Sequence, residues 1–310
     1  MRNTAVRRIN NAVRRLDFTQ VESELNPPDG SDGTPFELCA ATRDDWTRYV
    51  QSENQALGSR WMAWWDDKVS IVDLPTALHE VVVDAVRRAI TEATGTDVTH
   101  LARYGGTFIG DYATLPDDIR AIIGNLEPDC SFGPDPDVPG AVLPPGFMWE
   151  EFHTLKVEVG VSQPWGPRIQ QQGQAGQQGQ QRQAGRRRLA TFNEKANAWR
   201  LCPGVEYVLC IRISPGLRVR EYRLDSIMNG QFENPNIQPA PIDHTSVIQF
   251  DPWRLLGIPQ GRALPAGFSN PVQFNLFNAV ERIIRRQRER ITLRQAQAAG
   301  QPPRRRQRLH

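Results

Sequence analysis

Long apolar runs and cysteines are both scarce in this sequence. It contains no run long enough to span a bilayer and no hydrophobic signal-peptide segment after Met1. These absences favour an intracellular protein, in the nucleus or the cytoplasm, without membrane contact. The cysteines lack the paired spacing of a metal finger, so we expect reduced residues of the core. The four are Cys39, Cys130, Cys202 and Cys210.

Motifs of three common enzyme classes are missing as well. The chain has no glycine-rich phosphate loop of the Walker type. It has neither a Gly-x-Ser-x-Gly elbow nor the paired histidines of a metalloprotease helix. The sequence therefore gives no support to a P-loop nucleotidase, a serine hydrolase of the elbow type or a zinc protease.

The composition supports a folded protein with an uneven distribution of charge. Of the 310 residues, 39% are hydrophobic and eight are tryptophans, which is enough for a proper core. The formal net charge is only +2, yet the first sixteen residues contain five arginines and no acid, and the last thirty are also basic. Basic ends on a near-neutral body favour binding to a polyanion. Solubilising tails are an equally good interpretation.

Composition also predicts how the chain is divided. Val6, Ile9, Val13 and Leu16 lie at helical spacing, which predicts an amphipathic helix that docks on the body, although its arginines also imitate a mitochondrial presequence. The Gln/Gly-rich stretch has too little apolar surface to offset the entropy of ordering, so it predicts a disordered insert. The predicted segments are a basic helix (1–18), a linker (19–45), a central domain (46–260) with the insert (164–185), a helical extension (261–294) and a basic disordered tail (295–310). Local patterns also predict a strand at 107–112, a short helix at 116–124, a strand buried on both faces at 205–213 and a last helix that starts at Asn270-Pro271.

The most informative stretch is residues 155–162, where apolar and polar residues alternate. This period of two predicts a strand with one packed face and one half-open polar face, and the polar face carries Glu158 beside Gly160. A second acid, Asp129, opens the short run 129–132. Two carboxylates on neighbouring strands form an oxygen-ligand site suited to Mg²⁺.

Four motifs in this order resemble the PD-(D/E)XK nuclease superfamily, nearest to its Uma-type restriction-endonuclease-like branch. They are Pro128-Asp129, then 158–162, then Leu189 with Lys195 and Trp199, then 204–209. The resemblance covers roughly residues 70–225. It implies an α/β (α+β) fold, with a restriction-endonuclease-like core in which helices flank a mixed β-sheet.

The resemblance also implies a catalytic set. Asp129 and Glu158 correspond to the metal-holding acids, with the main-chain carbonyl of Val159 as a further ligand for Mg²⁺ or Mn²⁺. The usual lysine position, two residues after the glutamate, is Gly160 here, and we expect this glycine to leave room beside the metal for substrate. In the Uma-type branch this lysine moves to the following helix, where Lys195 matches it. Lys156 is a competing candidate, because it points to the same strand face as Glu158.

Other polar and aromatic residues of the sequence favour roles outside the site. Glu80 lies on a helix that the segment 73–76 predicts to start, but it falls opposite the apolar stripe, so we expect a solvated acid. Asp135 and Asp137 are typical of turns. His153 before the key strand favours a capping or surface residue. Aromatic clusters can stack on bases, but the core is favoured for Trp46, Trp61, Trp64 and Trp65.

Two functions follow from the resemblance. The first is a metal-dependent endonuclease that hydrolyses phosphodiester bonds of nucleic acid, with DNA favoured over RNA and a homodimer admitted. The second is an inactive nuclease-like fold that binds nucleic acid or protein. Asp129, Glu158 and Lys195 favour activity, whereas Gly160 and the missing helix glutamate favour its loss.

Overall fold

A computed structural model describes residues 4–27, 34–104, 127–166 and 191–298. Within these ranges the protein is mixed α/β, with seven α-helices and three β-sheets, which confirms the predicted fold class. The strand predicted at 107–112, the short helix predicted at 116–124, nearly all of the Gln/Gly-rich insert and the basic tail lie outside the described residues. None of the helices described is both long enough and apolar enough to cross a membrane.

The first part of the chain forms a small layer with its own core. Its three-stranded antiparallel sheet has the order β1-β3-β2, and three helices pack around it. The elements are α1 (Thr4–Arg14), α2 (Phe18–Leu25), β1 (Phe36–Ala40), α3 (Arg43–Val50), β2 (Met62–Trp65) and β3 (Lys68–Ile71). The predicted amphipathic helix is confirmed as α1, which buries Val6, Ile9 and Val13 against this core.

The linker predicted over residues 19–45 was wrong. This stretch contains most of α2, all of β1 and the start of α3. The elements are short, and the turn-forming residues between them gave the sequence the composition of a linker. Several of those residues are caps: Asp17 caps α2, and Thr42 and Asp45 form a reciprocal capping box at the start of α3.

The central sheet is the larger unit, with strand order β10-β8-β7-β6-β5-β4 and β9 paired to β8. Among the described strands of this sheet only β6 and β7 pair in parallel, and helix α5 lies in the crossover between them. The elements are α4 (Ala77–Ala93), β4 (Leu101–Arg103), β5 (Cys130–Pro134), β6 (Leu155–Gly160), α5 (Phe192–Trp199), β7 (Tyr207–Ile213), β8 (Arg220–Met228), β9 (Gln231–Phe232) and β10 (Ala240–Pro241).

Helices cover both faces of this sheet. Val157 and Leu209 belong to a core shared with α4, whereas Val208 and Cys210 pack under α5. The doubly buried strand predicted over 205–213 is confirmed as β7, in which every residue from Tyr207 to Ile213 is buried. The half-open face predicted for β6 was wrong, because every residue from Leu155 to Gly160 is buried. The reason is α5, whose residues come after the Gln/Gly-rich insert and cover the polar face.

The last elements complete the α4 side. They are β11 (Val247–Phe250), α6 (Pro252–Leu255), β12 (Val272–Asn275) and α7 (Leu276–Ala298). The last helix was predicted to start at Asn270-Pro271, but β12 comes first and pairs with β11. Helix α7 then buries Leu276, Val280 and Ile284 in the core shared with α4.

Candidate functional site

The two predicted acids meet at one end of the central sheet. Strands β5 and β6 are antiparallel, so Asp129, which directly precedes β5, lies beside Glu158 and Val159 near the end of β6. The Asp129 amide donates to the Val157 carbonyl at 3.1 Å. Its carboxylate oxygen Oδ2 accepts from the Val159 amide at 2.6 Å. Asp129 is therefore fixed to the edge of β6 by both its main chain and its side chain.

Lys195 reaches this end of the sheet from α5. A capping box of Thr191 and Glu194 starts the helix, and Lys195 and Trp199 share one helix face because they are four residues apart. Lys195 Nζ lies 2.7 Å from Glu158 Oε2. Trp199 Nε1 donates to Glu158 Oε1 at 2.6 Å. Both oxygens of the buried Glu158 carboxylate thus have a donor from α5.

Lys156, the competing lysine, has different partners. Its Nζ lies 2.6 Å from His153 Nδ1 and 4.7 Å from the centre of the Trp199 ring. Burial lowers the pKa of Lys156 to about 7. Burial, together with Lys156, lowers the pKa of His153 to about 2. His153 was predicted to be a capping or surface residue, and since it is only 1% exposed, the surface alternative was wrong.

His79 on α4 is a site residue that the sequence analysis missed. Its Nε2 lies 3.0 Å from Asp129 Oδ1, and its ring packs edge-on against Trp61 at 4.5 Å between ring centres. His79 lies on the inward face with Val82, Val83, Val86 and Ile90, so helical periodicity contained the signal. The predicted surface position of its neighbour Glu80 is confirmed: Glu80 is exposed and pairs with Arg60.

Asp73 is a second missed residue. Its Oδ2 accepts from the Val161 amide at 3.0 Å, and its Oδ1 accepts from the Leu74 amide at 2.8 Å. Residues 73–76 were interpreted as a helix start, and the side-chain cap of α4 is Thr76. Asp73 does not cap α4, and its carboxylate instead fixes the chain just after β6 through the Val161 amide.

The two aspartates bracket a main-chain carbonyl on the β6 edge. The amides of Val159 and Val161 bind Asp129 and Asp73 respectively, and they lie about 7 Å apart along the strand. The N–H and C=O of one strand residue point to the same side, so the Val159 carbonyl points to this edge, between the two amides. Three hard oxygen donors thus follow one another along the edge.

The charges of the site are strongly coupled. Burial raises the pKa of Glu158 although Lys195 opposes the change, and burial raises the pKa of Asp73. Burial also acts to raise the pKa of Asp129, but His79 and Lys195 outweigh it and the pKa is lowered. Burial acts to lower the pKa of Lys195, but Glu158 and Asp129 outweigh it and the pKa is raised. Lys195 is therefore an ammonium that faces an excess of buried acid.

This donor set fits the divalent metal that the resemblance implies. Asp129, Glu158 and the Val159 carbonyl supply hard oxygens, which Mg²⁺ prefers. The three acids Asp73, Asp129 and Glu158 outnumber the two cationic side chains in contact with Asp129 and Glu158 in the described part of the chain, His79 and Lys195, so the charge favours a further cation. As the side chains stand in the described part of the chain, no three His, Cys, Asp or Glu residues are arranged around a common ion position. A metal ion would therefore compete with Lys195 for Glu158.

Gly160 has a different role from the predicted one. It was expected to leave room beside the metal for substrate. Instead α5 fills this space, because a Cβ at Gly160 would lie 2.7 Å from the ring of Phe192 and 2.9 Å from Gln163. Gly160 therefore allows α5 to pack closely on β6, which brings Lys195 to Glu158.

Comparison with protein-family models, with curated proteins and with solved structures finds no match to this chain.

Proposed function

We propose that this chain is a metal-dependent nuclease of the PD-(D/E)XK type, which hydrolyses phosphodiester bonds of nucleic acid. The convergence of Asp129, Glu158 and Lys195 at one end of β5 and β6 carries the proposal. These are the three residues that the resemblance assigns to catalysis. A mixed sheet with helices on both faces also agrees with the fold that the resemblance implies.

Asp129, Glu158 and the Val159 carbonyl would hold the metal. When bound, Mg²⁺ supplies an acidified water and neutralises charge on the phosphate. The protein's part is to fix these donors in place. The Val159 amide and His79 orient the Asp129 carboxylate, and Trp199 holds one oxygen of Glu158.

Lys195 would supply positive charge where negative charge develops in the transition state. The carboxylates around it keep its side chain protonated despite burial. An ammonium in a poorly solvated site interacts with an anion much more strongly than it would in water. We therefore assign to Lys195 the role of the migrated lysine in the Uma-type branch. We assign no catalytic role to Lys156.

One observation favours the alternative of an inactive binding module. Both oxygens of Glu158 already accept hydrogen bonds from α5, and Glu158 is fully buried. A fold that retained this ion pair only for stability would show the same contacts. A measurement of metal binding distinguishes the two functions, because an ion pair that serves only stability does not require a metal ion.

The first test is calorimetric titration with Mg²⁺ and Mn²⁺ of the wild type, Asp129→Asn and Glu158→Gln. Both changes keep the size and shape of the side chain while removing a charged ligand, and the amide oxygen can still accept one of the existing hydrogen bonds at each position. We expect metal affinity to fall at least about tenfold in each variant, because carboxylate charge dominates Mg²⁺ binding.

The matched control is Asp137→Asn, an exposed acid beyond the other end of β5, which should keep wild-type affinity. Metal affinity that is unchanged in both site variants would refute this metal site.

A further inference from the structure

The second half of α7 projects from the body of the protein. The first turns bury Leu276, Val280 and Ile284. No residue from 285 to 296 is buried, and most are exposed. Because this half of the helix packs little against the body, its own backbone hydrogen bonds and any bound partner must stabilise it.

This projecting half leaves the body at the end of the sheet that carries the candidate site. Helix α7 packs along α4, and Gln287 Nε2 donates to the carbonyl of Pro215 at 2.9 Å. Pro215 lies in the turn directly after β7. Because β7 is parallel to β6, this turn is at the same sheet end as Glu158 and Gly160.

The exposed surface of α7 carries a regular basic stripe. Between 276 and 298 there are six arginines and two glutamates. Four arginines recur at intervals of four residues, so they lie about 6 Å apart along the axis and span about 18 Å on one slowly turning face. They are Arg282, Arg286, Arg290 and Arg294, and all four are exposed.

The chemistry of the stripe selects a polyanion. After Gln287 the apolar residues Ile291 and Leu293 are only two positions apart, so they do not form one helix face. This excludes an apolar seam for a partner helix or for lipid insertion. Guanidinium groups bind phosphates through two parallel hydrogen bonds, and charges spaced along a rod suit a repeating phosphate backbone.

We propose that Arg282, Arg286, Arg290 and Arg294 form an arm that binds the phosphate backbone of a nucleic-acid duplex and holds it at the site end of the sheet. The choice of nucleic acid over other polyanions rests on the proposed nuclease function. Contacts of this kind position a substrate without reading its sequence. The arm therefore contributes affinity and salt dependence, and leaves sequence preference unchanged.

The test measures binding in the presence of EDTA, where no cleavage occurs. Full-length wild type is compared with the triple variant Arg286→Gln, Arg290→Gln, Arg294→Gln on a fluorescent random-sequence DNA duplex of about 20 base pairs. Each lost phosphate contact should reduce the slope of log affinity against log salt by about 0.9. We expect a slope that is smaller by about 2 to 3, with the helix content by circular dichroism retained.

The control removes the same charge elsewhere, through Arg48→Gln, Arg88→Gln, Arg262→Gln. These arginines are exposed and lie in α3, in the second half of α4 and in the loop after α6. The control should keep the wild-type slope. An unchanged slope in the arm variant, or an equal loss in the control, would overturn the arm.

Two further outcomes separate this inference from the nuclease proposal. Loss of binding to phosphatidylserine vesicles with unchanged duplex binding would overturn the nucleic-acid partner. Arm-dependent duplex binding by a protein that does not cleave would support the arm and contradict only the nuclease.

Discussion

At the scale of single residues, two lysines beneath one helix have opposite electrostatic states. The chain has three lysines, and two of them, Lys156 and Lys195, are buried where α5 packs on β6. Lys195 faces carboxylates, which raise its pKa, whereas Lys156 faces a neutral histidine and an indole ring. Burial without an anionic partner disfavours the charged form. The sequence alone could not distinguish the two lysines, but their partners do.

Lys156→Met should make the protein more stable near neutral pH and change how stability depends on pH. Burial lowers the folded-state pKa of Lys156 to about 7, below the ordinary lysine value that applies to the unfolded chain. Between these two pKa values the unfolded state binds more protons, so wild-type stability rises with pH across that window. The penalty is fully present below the folded-state pKa and is lost as pH rises to the unfolded value.

Urea denaturation of wild type and Lys156→Met at about pH 6 and about pH 9 measures this effect. The stability advantage of Lys156→Met should shrink at the higher pH. Equal differences at both pH values would show that Lys156 is not a desolvated, weakly basic amine.

At the scale of elements, the contact between β6 and α5 builds the site. Strand β6 presents Lys156, Glu158 and Gly160 to α5, and the missing side chain at Gly160 lets Phe192 approach. The strand pattern, the capping residues and the buried run at 207–213 were enough to predict α4, β5, β6 and β7 from the sequence.

Gly160→Ala should destabilise the fold by about 1–3 kcal/mol, since the added Cβ would overlap the buried ring of Phe192 and force the helix or the ring to move. The matched change is Gly216→Ala, where the nearest atom to a new Cβ is 3.9 Å away, in the side chain of Arg218. That change should stay within about 0.5 kcal/mol of wild type. Chemical denaturation compares the two, and equal stabilities would contradict the close packing of α5 on β6.

The sequence could not predict how the faces are covered. The polar face of β6 was interpreted as half-open because α5 comes after the Gln/Gly-rich insert, and nothing local shows that it folds back over the strand. For the same reason His79 and Asp73 were missed as partners of the site. His79 lies near the start of α4, and only the arrangement of the strands in the folded sheet brings it to Asp129. Asp73 accepts a hydrogen bond from an amide 88 residues later in the chain.

At the scale of the whole molecule, the candidate site and the arginine stripe lie at the same end of the central sheet. The catalytic candidates lie where β6 ends and β5 begins, and α7 carries its arginine stripe past the turn that follows β7. The net charge of +2 does not reveal this arrangement, in which Asp73 and Glu158 are buried at the site and the arginines are exposed on the arm. A polyanionic substrate held by the arm would thus be placed close to the site.

The most direct measurement is cleavage of plasmid DNA by wild type, Lys195→Ala and Lys156→Ala, with Mg²⁺ and with EDTA. We predict nicking that needs Mg²⁺, a rate lower by about 10²–10³ in Lys195→Ala at a Mg²⁺ affinity no weaker than that of wild type, and a milder loss in Lys156→Ala. Inactivation by Lys156→Ala alone would assign the catalytic role to the strand lysine. A wild-type protein that cleaves neither DNA nor RNA in Mg²⁺ or Mn²⁺ would contradict the nuclease and leave the binding module.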